Sequence, residues 1–314
     1  MDDRRRAYIQ ERQDEGATPN TITQYARFFS LIEKAEETTG ISIENGLTAD
    51  EFRTLFQATG ATKKQTFRGY KSRIVTYLDW LKGKGYDVGN LGEIKKIAYS
   101  SLNLDNQIKR NYFKDFGSLQ KAIEQVVEYS EVPDEDIFQT TISLIYLAWC
   151  GLTKEEACGL LKSDVLEDRI LVDGREVFPN KTIMDYLHKY IETDGYNSEG
   201  ESSSLRFLYY RRTQYLIRTI KSEYLQTERI SYRFVDFTKI PEKNGFEIDK
   251  EFAYYNIYWS GVFNRAYRWE LENGEIQRND IDTINKVLGV NETVTSTANL
   301  SLDNYLAYKQ LYFG

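Results

Sequence analysis

Residues 61–85 hold seven cations, Lys63, Lys64, Arg68, Lys71, Arg73, Lys82 and Lys84, against a single acid, Asp79. Lysine and arginine clustered without carboxylates make a surface suited to phosphates. Lys64, Arg68 and Lys71 recur at i, i+4 and i+7, so a helix carries them as one stripe. That stripe lies roughly a quarter-turn from the apolar Phe67, Tyr70 and Ile74. Gln65 and Thr66 stand at the start of the same helix, within reach of base edges. A second acid-free run, 206–221, contributes Arg206, Arg211, Arg212, Arg218 and Lys221, with Thr213 and Gln214 between them. The plainer reading of both runs is a solvated basic face, in the second run one paired with the neighbouring carboxylates.

Other chemistries are limited by what the chain lacks. It has one histidine and two cysteines in 314 residues. A zinc site of four cysteines, or of two cysteines and two histidines, would need ligands that are not present. A nucleophilic triad would have to use His188, which lies outside every motif and reads as a structural or surface residue. Cys150 and Cys158 read as core residues, and two cysteines do not make a disulfide scaffold. No metal and no cofactor are expected. The net charge of −7 is uneven: residues 1–110 carry 18 Lys/Arg and 15 Asp/Glu, residues 111–314 carry 23 and 33. A basic first third on an acidic chain argues against indiscriminate nucleic-acid binding and leaves a local basic surface open.

The elements that must position these residues are mostly helical. Four prolines in the whole chain favour long helices over short strands. Residues 18–37 place Ile22, Tyr25, Phe28, Phe29 and Ile32 at helical spacing, with Thr21 as the expected cap. Thr48 and Glu51 form a capping-box pair for a helix over 48–58. The basic helix follows and ends at Gly83 and Gly85. The polar stretch 100–111 reads as a linker. Beyond it, helices are expected at 115–130, 134–149, 153–162, 180–192, 203–226, 257–273, 280–289 and 301–313. Residues 169–178 surround Asp173-Gly174 and predict a β-hairpin, and 194–204 read as a loop. No stretch approaches 18 apolar residues, and the charged first 16 residues have no apolar signal core.

The order of these parts resembles the tyrosine recombinases, the phage integrases. Residues 18–37 and 61–81 look like helices of that family's N-terminal core-binding domain. Residues 142–165 look like the opening of its catalytic domain, and the Asp-Gly hairpin lies where the family has its small sheet. The resemblance implies a mainly α fold with a small β-hairpin or sheet, arranged as a two-domain, integrase-like clamp: 1–108 as a helical core-binding domain and 109–314 as a catalytic-like domain. The family stabilises the charge of a reacting phosphate with two arginines, a lysine and a His or Trp while a Tyr attacks. Here the first arginine position falls on Thr153. The His-x-x-Arg box falls on Ser260-Gly261-Val262-Phe263, and the Leu-Gly-His on Leu288-Gly289-Val290. The nucleophile position falls near Asn299, with Tyr305 and Tyr308 close but out of register and read as packing residues. The sheet lysine is not placed; Arg175 and Lys181 lie nearby.

Thr153, Ser260, Phe263 and Val290 cannot replace guanidinium or imidazole donors, and losing one such donor costs about 10²–10³ in rate. The expectation is therefore a non-enzymatic protein, and its resemblance to prophage lysogeny repressors built like an integrase without its active site implies a sequence-specific repressor of phage lysogeny that binds double-stranded DNA at operator sites. Its expected place is the cytoplasm of a bacterial host, at the nucleoid, with no membrane association and with any regulatory protein partner unidentified. Three alternatives stand beside it. One is an active recombinase with rearranged residues, for which the C-terminal region offers Arg265, Tyr267 and Arg268 on one helix. Another is a helix-turn-helix at 141–165, weakened by Glu155 and Glu156 facing phosphates. The last is a protein-interaction module in the acidic second part.

Overall fold

The computed structural model describes residues 2–129, 138–199, 205–246 and 250–314. Its chain divides into two units, 1–108 and 109–314. In both, helices carry the core; among the described residues strands appear only in the second unit, as two antiparallel hairpins.

The first unit begins with a helix in the stretch that looked merely charged: α1, Asp3–Asp14, capped by the Asp2 carboxylate on the Arg4 amide. It is held by two residues rather than by an apolar stripe. Tyr8 is fully buried, edge-on to Tyr25, Phe29, Tyr77 and Trp80. Arg5, 2% exposed, pairs with Glu36 and Glu44. Helix α2, Pro19–Thr39, starts earlier than the sequence suggests. Thr18, not Thr21, caps it, because Pro19 suits the first helical position and Thr18 is extended. Helix α3, Ala49–Ala58, carries the Thr48–Glu51 capping box. Helix α4, Lys64–Gly83, buries Phe67, Ile74, Tyr77, Leu78 and Leu81, while Tyr70 is only half-buried. After α5, Leu91–Lys96, the expected linker is ordered chain. It holds a 3₁₀ turn at Tyr99–Ser101 and the helix α6, Asp105–Asn111. Leu104 and Ile108 are buried, so this stretch is not a free tether.

In the second unit, α7 (Phe116–Glu128) precedes α8 (Gln139–Trp149), which is buried along its whole length. The expected helix over 134–149 is seen from residue 139; 134–137 lie outside the described residues. The helix-turn-helix alternative calls for a recognition helix over 153–162, and the helix found there spans only Lys154–Gly159. Helix α9, Lys154–Gly159, has only six residues, and Thr153 caps it in a box with Glu156. Thr153→Ala should therefore cost about 1 kcal/mol of stability, read as a lowered urea midpoint. The Asp-Gly hairpin pairs β1, Ile170–Val172, with β2, Arg175–Val177. Asp173 and Gly174 both take positive φ, 45° and 81°, as a two-residue turn of this hand demands. Helix α10, Lys181–Glu192, follows the Asn180 cap.

The region that follows departs from expectation. Residues 195–199 and 205–209 are the strands β3 (Gly195–Glu199) and β4 (Leu205–Tyr209), not a loop and a helix. Phe207 and Tyr209 are exposed while Leu208 and Tyr210 are more buried, a period of two. Residues 210–226 are irregular. Their backbone pairs across to 160–162, with the Lys162 amide on the Gln214 carbonyl at 2.9 Å and the Leu216 amide on the Leu160 carbonyl at 2.8 Å. Those bonds, with the burial of Leu216 and Ile217, replace a helical ladder. Helix α11, Thr227–Lys243, begins where the expected helix ends. Helices α12 (Tyr254–Asn273), α13 (Ile281–Leu288) and α14 (Thr295–Phe313) complete the unit. Among the described residues no helix is long and apolar enough to cross a membrane.

Candidate functional site

The start of α4 carries an open basic surface. Lys63, Gln65 and Arg68 are exposed, and Lys64 and Thr66 are half-buried. Lys63 occupies the cap position without a side-chain bond to the first turn, so that turn's amides keep their donors free of a cap. Further along, the stripe turns inward. The Lys71 ammonium donates to the carbonyls of Lys95 (3.2 Å) and Ile97 (2.9 Å). Arg73 donates to Gln24 at 3.2 Å and covers the Phe28 ring. Those two cations tie helices together, and the surface open to an anion is that of Lys63, Gln65 and Arg68.

The second basic run is split in the same way. Arg211 and Arg212 are exposed, although Arg211 also donates to the Lys221 carbonyl at 3.2 Å. Arg206 sits in β4, with its side chain outside the described residues. Arg218 does not serve as a contact. It is 4% exposed, stacked on the rings of Tyr190 and Tyr210 at 4.9 and 4.7 Å, and bonded to the Tyr190 carbonyl. A guanidinium can be buried there because two ring faces and a carbonyl replace water.

A third cationic place, in the second unit, is a cavity of about 740 Å³ lined by Arg175, Arg265, Arg268 and Lys286 together with Glu156 and Glu176. The β1–β2 hairpin brings Arg175 and Glu176, α12 brings both other arginines, and α13 brings Lys286. Arg265 is fixed from behind by a 2.6 Å bond to the Trp149 carbonyl. Gly151, at φ +85°, leaves the room its guanidinium needs; a Cβ there would lie 2.5 Å from it. Burial lowers the Arg265 pKa from the ordinary arginine value, and the nearby Cys150 and Tyr258 act the other way. Burial likewise pushes the Cys150 thiol up to about 12, so it is no nucleophile at neutral pH. Burial raises and Arg175 lowers the Glu156 pKa, and the net shift is downward through the 2.8 Å pair with Arg175 and the Thr153 amide. Such an arrangement can hold an anion.

The positions carried over from the integrase resemblance fall in two places. Thr153 lines the cavity, with its hydroxyl committed to the α9 cap. Ser260 and Phe263 do not face it. Ser260 is fully buried, accepting from the Phe113 amide and donating to the Asn256 carbonyl, and Phe263 packs on Tyr112, Trp259, Tyr305 and Tyr308. The cavity-lining residues of α12 are Tyr258, Val262, Asn264, Arg265 and Arg268, so an arginine two positions beyond Phe263 does face the cleft. Val290 is half-buried after α13 and is not a lining residue. Tyr305 and Tyr308 are fully buried, bonded to Glu270 (2.6 Å) and the Lys114 carbonyl (2.6 Å). Sequence reasoning missed the cleft as a unit. The available signal was the i, i+4, i+7, i+10 recurrence of 258, 262, 265 and 268, one face of a helix.

No protein-family model matches the sequence, and no curated protein matches it. Solved structures similar to this chain are tyrosine recombinases. A lambda integrase (75–356) dimer bound to a COC′ core site has 12% identity and a TM-score of 0.37, over 95% of this chain and 93% of that one. XerA recombinase has 12% identity and a TM-score of 0.38, over 100% and 99%. A lambda integrase tetramer bound to a Holliday junction has 12% and 0.39, over 92% and 76%. A similarity of this size does not transmit chemistry. It does correct one expectation. The structures in question are of an integrase and a recombinase, which are enzymes, so the assignment of this chain as a non-enzyme is withdrawn.

Proposed function

We propose that the chain is a sequence-specific double-stranded DNA-binding protein that acts as a transcriptional repressor of phage lysogeny, in the cytoplasm and at the nucleoid of a bacterial host. The observation that carries the DNA-binding part is the first turn of α4. There an uncapped helix N-terminus meets exposed Lys63 and Arg68, with Gln65 exposed between them. Free amides at a helix start and neighbouring cations form a seat for a phosphate oxygen, and Gln65 and Thr66 stand beside it to read bases. Arg211 and Arg212 add a second exposed pair from the other unit. The repressor role is supported by the resemblance of the sequence to an integrase with Thr153 at the first arginine position, a pattern similar to prophage lysogeny repressors.

Footprinting on the genome of origin, followed by a reporter driven from the protected promoter, tests both parts. Protection of discrete sites and lowered reporter output are expected. On such a site, Lys63→Ala and Arg68→Ala should each reduce the magnitude of the log K against log salt slope by about 0.9. Lys71→Ala should leave that slope in place, since its ammonium is spent on two carbonyls. A double variant with unchanged slope would remove α4 from the interface.

A further inference from the structure

We propose that the cavity of the second unit binds a small phosphate-bearing ligand with a planar ring, the chemical class of a mononucleotide. The proposal stands apart from the DNA-binding reading, which rests on other residues. Size comes first: about 740 Å³ lies within the roughly 300–1,000 Å³ range of ligand cavities. Charge comes second. Of the lining groups, Glu156 is committed to Arg175 at 2.8 Å and Glu176 to Arg169 at 3.1 Å. Arg268 and Lys286 are exposed to the cavity and enter no ion pair among the described residues. Two uncommitted cations match a phosphate monoester, which carries about −1.5 to −2 at pH 7.

Rigidity and shape supply the rest. Arg265 is anchored to the Trp149 carbonyl before any ligand arrives, so little ordering remains when an anion binds. Phe178, 64% exposed, also lines the cavity, held between β2 and Pro179. An aromatic ring left in water at the edge of a cationic cavity offers a face on which a base stacks. Val177, Ile183 and Val262 supply the apolar wall. A phosphate on the cations and a ring on Phe178 use both halves of the lining; inorganic phosphate alone uses one.

Calorimetric titration of the full chain with AMP, GMP, CMP and UMP, with adenosine and inorganic phosphate as partial ligands, tests this. At least one nucleotide should bind saturably, and both partial ligands should bind about tenfold or more weakly. Arg268→Ala with Lys286→Ala should weaken the nucleotide about tenfold or more. Phe178→Ala should weaken the nucleotide and leave phosphate unchanged. All three side chains are exposed, so the unliganded melting temperature should stay put; Arg268→Gln with Lys286→Gln serves as the second variant if it does not. No saturable binding at millimolar nucleotide overturns the proposal, and so does equal binding by the double variant. A third arm adds a short duplex. If the duplex displaces the nucleotide and loses affinity by the same factor in the double variant, the cleft is a seat for a DNA backbone phosphate and the proposal falls.

Discussion

Arg5→Ala should lower the stability of the first unit by about 3–5 kcal/mol, the cost of removing one partner from a buried ion pair. Arg5 donates through Nε and its terminal nitrogen to both Glu44 oxygens at 2.7 Å, and to Glu36 at 2.6 Å. The Tyr77 hydroxyl donates to the same Glu44 at 2.9 Å. Without the guanidinium, Glu44 stays buried with the hydroxyls of Tyr77 and Ser42 as side-chain donors and no countercharge from Arg5. Hydrogen exchange of α1 and α2 amides in the full chain reads the loss directly, since α1 has no apolar stripe to fall back on. A loss below about 1 kcal/mol would mean that Tyr8 alone holds α1. The same network sets an acid limit. Burial raises the Glu44 pKa, but the hydrogen bond and charge of Arg5, with Tyr77, outweigh it, and the folded value lies below the ordinary 4.5. A depressed carboxylate contributes stability that is complete above its unfolded value and is lost as pH falls through the folded one. Wild type should therefore lose this contribution below about pH 4.5, and the Arg5→Ala difference should shrink in the same window.

What the sequence disclosed depends on how local the cause was. The Thr48–Glu51 box and the Asp173-Gly174 turn are written within a few residues, and each is found where its residues place it; the α4 stripe lies on its helix, but Lys71 is drawn off it to the Lys95 and Ile97 carbonyls. The helix α1 was not legible, because it is stabilised by Arg5 and Tyr8 meeting residues about 20 to 75 positions away. The 203–226 stretch failed for a related reason. Its cations suggested one helical face, yet Arg218 is drawn inward by Tyr190 and Tyr210, and the backbone pairs with 160–162. The cleft was legible only in part. Thr153 was placed at its edge, but the α12 register was set on Ser260 and Phe263, residues that serve the core. Arg265 and Arg268 were visible as cations on one helix, but placing them in the cleft required the side on which α8 packs.

Gly261→Ala should destabilise the second unit by about 3 kcal/mol, the upper end for overpacking, because the added methyl has nowhere to go. Helix α12 crosses α8 so closely at this glycine that a Cβ would overlap the Trp149 carbonyl, lying 2.8 Å from its carbon and 3.1 Å from the Trp149 Cα. These are backbone atoms, and no rotamer change relieves them. The same Trp149 carbonyl anchors Arg265 one helical turn on, so forcing α8 and α12 apart also releases the arginine that the cleft depends on. The core thus sets the cleft: the absence of one side chain at 261 fixes the position of a guanidinium at 265. Gly69→Ala is the control. It lies inside α4 with nothing within 4 Å of its added Cβ, so the substitution should raise stability by about 0.4–1 kcal/mol through the unfolded chain. Thermal melting of the two variants should move in opposite directions. Equal melting would show that α8 and α12 are further apart than a glycine contact requires, and Arg265 would then be free to leave the Trp149 carbonyl.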